Sequence, residues 1–72
     1  MFELIVFEAE WCGACKIYRE ILERIEADVT FLDSSIDPDV KAVPLTILKK
    51  DGVEVKRKFG AMTELMLRDF LS

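Results

Sequence analysis

Phe2 to Phe7 is a short, nearly continuous apolar stretch of β-branched and aromatic residues, the pattern of a strand buried on both faces of a parallel sheet. From Cys12 to about Ala27 the period changes. Cys15, Tyr18, Ile21, Leu22 and Ile25 recur three and four apart, while Lys16, Arg19, Glu20, Glu23 and Glu26 fill most of the other positions, which predicts an amphipathic helix. Lys16 with Glu20, Arg19 with Glu23 and Glu20 with Arg24 are spaced four apart, and such pairs add about 0.2–0.5 kcal/mol each on a solvated face. Val29 to Leu32 reads as a second strand, so the first part of the chain predicts a βαβ crossover with parallel pairing.

Turn-forming residues follow from Asp33 to Asp39, and Pro38 is expected to open one helical turn through Val40, Lys41 and Ala42, with Asp37 as its N-cap. Pro44–Leu48 and Val53–Phe59 flank Asp51-Gly52, the signal of a tight antiparallel hairpin. After Gly60, Thr63 is placed to cap a final helix with Glu64 in its first turn, and Leu65, Met66 and Phe70 with Leu67 and Leu71 are expected to form its buried side. The predicted fold class is α/β: a four-stranded mixed sheet, βαβ then ββα, with helices packed against it.

At 72 residues the chain has room for one domain, 1–72, with a modest core. Half of its residues are hydrophobic and a third charged, the balance of a soluble globular protein. The apolar run Leu4–Phe7 is too short to span a membrane and has no basic flank of a signal peptide, so a cytoplasmic location is the expectation. A monomer is the expected state. A net charge of −4 argues against nucleic acid as a partner. The basic cluster Lys56-Arg57-Lys58 is read as a solvated edge strand whose charge discourages further strand pairing.

Two cysteines in a C-x-x-C spacing, with no histidine, narrow the chemistry. A structural disulfide closing so short a loop removes little entropy from the unfolded chain. Cys12 falls where strand one gives way to the helix, and there unpaired N–H groups and the helix dipole favour a thiolate, lowering its pKa below the ~8.5 of free cysteine. Cys15 lies one turn further in, less exposed, with its sulfur able to approach Cys12. The implied reaction has Cys12 attack a substrate disulfide and Cys15 then attack the mixed disulfide, releasing reduced product. Gly13 allows a target backbone to come close, and Trp11 offers an apolar face. Two other readings stand beside this one: a pair of small buried apolar residues, or a metal site shared between two chains, since one C-x-x-C supplies only two of four ligands.

The segment Ala9-Glu10-Trp11-Cys12-Gly13-Ala14-Cys15-Lys16 resembles the active-site segment of the thioredoxin family, with Ala14 where the family usually has proline. Val43-Pro44 looks like the family's apolar residue followed by a cis-proline that faces the cysteines, and the hairpin with Gly60-Ala61 is similar to the family's C-terminal half. The resemblance implies a minimal thioredoxin-like fold and a protein-disulfide reductase with Cys12 and Cys15 catalytic. It also implies Trp11, Gly13, Ala14, Val43, Pro44 and Gly60 at the substrate, no cofactor beyond the redox-active disulfide, and a flavin-dependent thioredoxin reductase as electron donor.

The chain's size and missing elements are glutaredoxin-like, although there is no Pro-Tyr between the cysteines. A glutathione-recycled redoxin and a non-catalytic binding module of the same fold are therefore the alternatives. The positions where thioredoxins usually bury an aspartate and its lysine fall at Val6 and near Phe31, both apolar, leaving Glu8, Glu10 or solvent to accept the Cys15 proton. Alanine in place of proline between the cysteines implies a somewhat more oxidising couple.

Overall fold

Alternation along β1 (Phe2–Glu8) sends Leu4 and Val6 to one side of the strand and Ile5 and Phe7 to the other, so that β1 carries apolar side chains on both faces. The computed structural model describes residues 2–25 and 28–72. In it β1 is a central strand, flanked by β2 (Val29–Asp33) in parallel and by β3 (Leu45–Lys50) in antiparallel, with β4 (Val53–Phe59) outside β3. The sheet order β2-β1-β3-β4 is the predicted mixed sheet. Asp51 and Gly52 both take positive φ, 52° and 84°, as the two-residue turn between β3 and β4 requires. The register slips by one residue after Leu48, which leaves Val55 as the extra residue of a bulge in the exposed edge strand.

Two helices cover one face. α1 (Gly13–Arg24) buries Cys15, Tyr18 and Leu22, with Ile21 and Ile25 partly buried at the rim, as its period predicts. Its last described helical residue is Arg24, capped by Ile25; Glu26 and Ala27 lie outside the described residues. α2 (Glu64–Leu71) is capped by Thr63, whose Oγ1 accepts a hydrogen bond from Met66 N at 3.2 Å. Leu4, Val6, Tyr18, Leu22, Leu48, Met62 and Leu67 form the core between these helices and the sheet. Within it the Tyr18 hydroxyl and Thr46 Oγ1 are 2.6 Å apart, which satisfies both buried oxygens. Burial raises the Tyr18 pKa above its ordinary value, against a smaller lowering by the Thr46 hydrogen bond.

The expected buried side of α2 is corrected. Leu67, Phe70 and Leu71 share the i, i+3, i+4 face that meets the core, whereas Leu65 and Met66 stand off that face and are 77% and 44% exposed.

The opposite face has a thinner cover. Phe7, Leu45 and Ile47 are buried there with Ile5, Leu32, Val40 and Val43 around them, beneath the irregular segment that joins β2 to β3. That segment departs from expectation. Its helical turn is a 3₁₀ turn at Ser34–Ile36, with Asp33 Oδ1 accepting from Ser35 N at 2.8 Å. Asp37, preceding Pro38, is held extended (φ −133°, ψ 106°), as the proline ring demands of its neighbour, and this ends the turn. Beyond it the Asp37 carboxylate accepts from Asp39 N at 3.0 Å and the chain turns without continuing as a helix.

Candidate active site

A turn closed by Cys12 N donating to Ala9 O at 3.1 Å lifts the chain out of β1 and into α1. Cys12 is the N-cap of that helix, in extended geometry, and its Sγ accepts a hydrogen bond from Cys15 N at 3.1 Å. A serine or aspartate oxygen ordinarily fills this role, and here sulfur satisfies one of the four orphan N–H groups of the first turn. Cys12 and Cys15 are joined as a disulfide, with Cα atoms 5.3 Å apart.

Exposure follows the expected order, with Cys12 at 7% and Cys15 at 3%. Cys12 is nonetheless more covered than the sequence reading supposed, because Ala9 and Val43 pack against the pair. The Val43–Pro44 peptide is cis, as the resemblance implied. Gly60 N donates to Pro44 O at 2.8 Å, and Gly60 has φ +92°, a conformation that favours glycine. This bond ties the segment before β3, whose Val43 packs against the cysteines, to the end of β4.

The expected substrate-side residues divide by exposure. Trp11 is 81% exposed, and Gly13 and Ala14 are also open to solvent, with no atom within 4 Å of a side chain added at Gly13. Val43 is half-buried against the disulfide, and Pro44 is fully buried with its carbonyl taken by Gly60 N, so on this side it is Val43 that is partly open at the surface.

Two contacts escaped the sequence reading. Arg19, assigned to the outer row of α1, instead forms an ion pair with Glu8 of β1 and lays its guanidinium over the Phe31 ring of β2, 3.9 Å from the centroid. The signal was present, since Arg19 lies four residues beyond Cys15 and so shares its side of the helix. The Val6 and Phe31 positions are neighbours across β1 and β2, apolar as read. Among the described residues no group of three or more His, Cys, Asp or Glu is placed to hold a metal ion, and no helix is long and apolar enough to cross a membrane.

No family model matches the chain. Individual proteins do. A thioredoxin of Chlamydia trachomatis is 43% identical over 68 aligned residues, spanning 79% of this chain and 67% of the relative. A thioredoxin of Buchnera aphidicola is 33% identical and spans 96% of this chain and 74% of its own length. The chain belongs to the thioredoxin family. A variant thioredoxin from Halobacterium salinarum superposes with a TM-score of 0.84 over 96% of this chain and 70% of that one, at 28% identity. The fold is thus the α/β thioredoxin fold, and the protein is a thiol–disulfide oxidoreductase with a redox-active C-x-x-C pair.

Proposed function

We propose that the protein reduces disulfides of other proteins, with Cys12 as the attacking sulfur and Cys15 as the resolving one. The observation that carries this reading is the hydrogen bond from Cys15 N to Cys12 Sγ at the head of α1. On reduction that donor, with the other free N–H groups of the first turn, favours a thiolate on Cys12 and so raises its reactivity at neutral pH. Cys15, deeper and one helical turn on, meets only a partner already bonded to Cys12, which suits it to the second step.

Trp11, Gly13 and Ala14 form the exposed rim against which a substrate backbone would lie. Val43, held in place by the buried Pro44, and Gly60 form the opposite wall. The protein works as a single domain and a monomer in the cytoplasm, recharged by a flavin-dependent thioredoxin reductase.

Insulin reduction with dithiothreitol as electron source tests the reading. Cys12→Ser is expected to abolish turnover, and Cys15→Ser to accumulate a mixed disulfide at Cys12. A Cys12→Ser protein as active as the native one would overturn it. Coupling to NADPH through thioredoxin reductase supports the proposed donor, whereas dependence on glutathione and glutathione reductase would replace it. The reduction potential of the pair then separates a reductant from an oxidant.

A further inference from the structure

The second sulfur is the harder one to ionise. Cys15 is 3% exposed, and its reaction requires that it lose a proton after substrate has joined Cys12 and covered the outer side of the site. The proton must leave by the inner side. There, between α1, β1 and β2, lies a solvent-connected cavity of about 350 Å³ that Cys15 lines together with Glu8, Arg19 and Phe31.

We propose that Glu8 accepts the proton of Cys15 through water in this cavity, with Arg19 as the positioning residue that holds the carboxylate there. The inference rests on the assignment of Cys15 as the resolving thiol. Glu8 lies on the same side of β1 as Leu4 and Val6, facing α1, and its side chain is only 22% exposed. Arg19 bonds to Glu8 Oε1 through one nitrogen only, so the second carboxylate oxygen stays available to water. Stacking on Phe31 fixes the guanidinium from below.

Other charged groups face the same cavity, and each is less suited. Asp33, at the end of β2, spends an oxygen capping Ser35 N, which lowers its pKa. Glu10 is exposed on the turn, and Lys16, on α1, is a cation and cannot accept a proton.

The Cys15 S–H proton passes to the Glu8 carboxylate, and the electron pair left on Cys15 Sγ forms the bond to Cys12 Sγ. The bond from Cys12 to the substrate sulfur breaks, and its pair leaves as a substrate thiolate that takes up a proton from solvent. The substrate is reduced by two electrons, the cysteine pair is oxidised to the disulfide, and Glu8 returns its proton to water.

The reaction of the reduced protein with Ellman's disulfide separates the two sulfurs. Attack by Cys12 releases a first thionitrobenzoate, and attack by Cys15 releases a second. In Glu8→Gln the first release is expected at the native rate, and the second slowed about 100-fold at neutral pH, the low end of what a lost general base costs.

The pH profile should change as well. The native second phase is expected to vary little with pH around neutrality, while that of the variant should climb about tenfold per unit towards the buried thiol's own ionisation. Added acetate or imidazole should restore the slow phase in Glu8→Gln, which no purely structural role for Glu8 would predict. A second phase in Glu8→Gln with native rate and native pH profile overturns the inference while leaving the wider function intact. Failure of the first release in the native protein would instead remove the functional reading itself. Should Glu8→Gln not fold, Glu8→Ala serves with the same bases, and no rescue there counts against the proposal.

Discussion

The two faces of the sheet solve the same burial problem with unequal means. On one, α1 and α2 close over Leu4, Val6, Tyr18, Leu22, Leu48, Met62 and Leu67, and every one of these is at most 2% exposed. On the other, an irregular segment covers Phe7, Leu45 and Ile47, and Ile5, Leu32, Val40 and Val43 remain only partly buried. The cysteine pair joins the two regimes. It is built on α1, yet its nearest apolar neighbour outside that helix and its turn is Val43, which belongs to the thin cover. The thick face is therefore expected to carry the stability, and the thin face to tune how the sulfurs meet a substrate.

The largest effects should break this division if it is wrong. Leu67→Ala empties a fully buried site between α2 and the sheet and is expected to cost about 2–5 kcal/mol in urea unfolding, with thiol kinetics of the folded protein unchanged. Val43→Ala removes two half-buried methyls and should cost only about 1 kcal/mol, yet raise the alkylation rate of reduced Cys12 by uncovering it. If Leu67→Ala altered the thiol kinetics and Val43→Ala did not, the faces would not divide as described.

Tyr18 probes the thick face at its polar point. Tyr18→Phe leaves the fully buried Thr46 hydroxyl without its partner and is expected to cost about 1–2 kcal/mol. The folded state holds the Tyr18 proton more tightly than the unfolded chain does, because burial raises its pKa. Its contribution is therefore complete below about pH 10 and declines as pH rises from there through the folded value. The native protein should lose stability above that pH faster than Tyr18→Phe does, and as Tyr18 is the only tyrosine, phenolate absorbance reads the titration directly. A smaller change is expected from Thr63→Ala, about 1 kcal/mol, through loss of the α2 cap.

The same division separates what could be read in the sequence from what could not. The parallel crossover, the Asp51-Gly52 hairpin and the sulfur at the head of α1 each follow from local pattern, because a helix N-terminus and a two-residue turn impose their chemistry within a few residues. The thin cover was not legible. Asp33-Ser34-Ser35 and Asp37-Pro38-Asp39 each carry a carboxylate that accepts a capping bond two residues on, and local pattern does not tell which of the two opens the helical turn. On α2, five apolar residues in eight carry too little polar contrast to fix its rotation, so the sequence does not separate the exposed Leu65 and Met66 from the buried Leu67. Period-two counting from Leu4 and Val6 does turn Glu8 towards the helix, but its meeting with Arg19 depends on how α1 sits on the sheet.

The smallest expected effect bears most directly on the thin face. Arg57 and Glu54 pair through two hydrogen bonds on β4, at 2.6 and 2.8 Å, on the side of the sheet away from the helices. The hydrogen bond to Arg57 lowers the Glu54 pKa, and the same bond raises that of Arg57, with a further contribution from Asp37 across the connecting segment. Any stability from the lowered Glu54 pKa is present above the carboxylate's unfolded value and lost as pH falls through the folded one. Both groups are open to solvent, where water and salt screen the pair and side-chain ordering offsets its attraction. Glu54→Gln is accordingly expected to leave the urea midpoint unchanged at neutral pH, in low and high salt alike. A midpoint drop as large as that of Thr63→Ala, relieved by salt, would show that charge along the edge strand holds the thin cover in place.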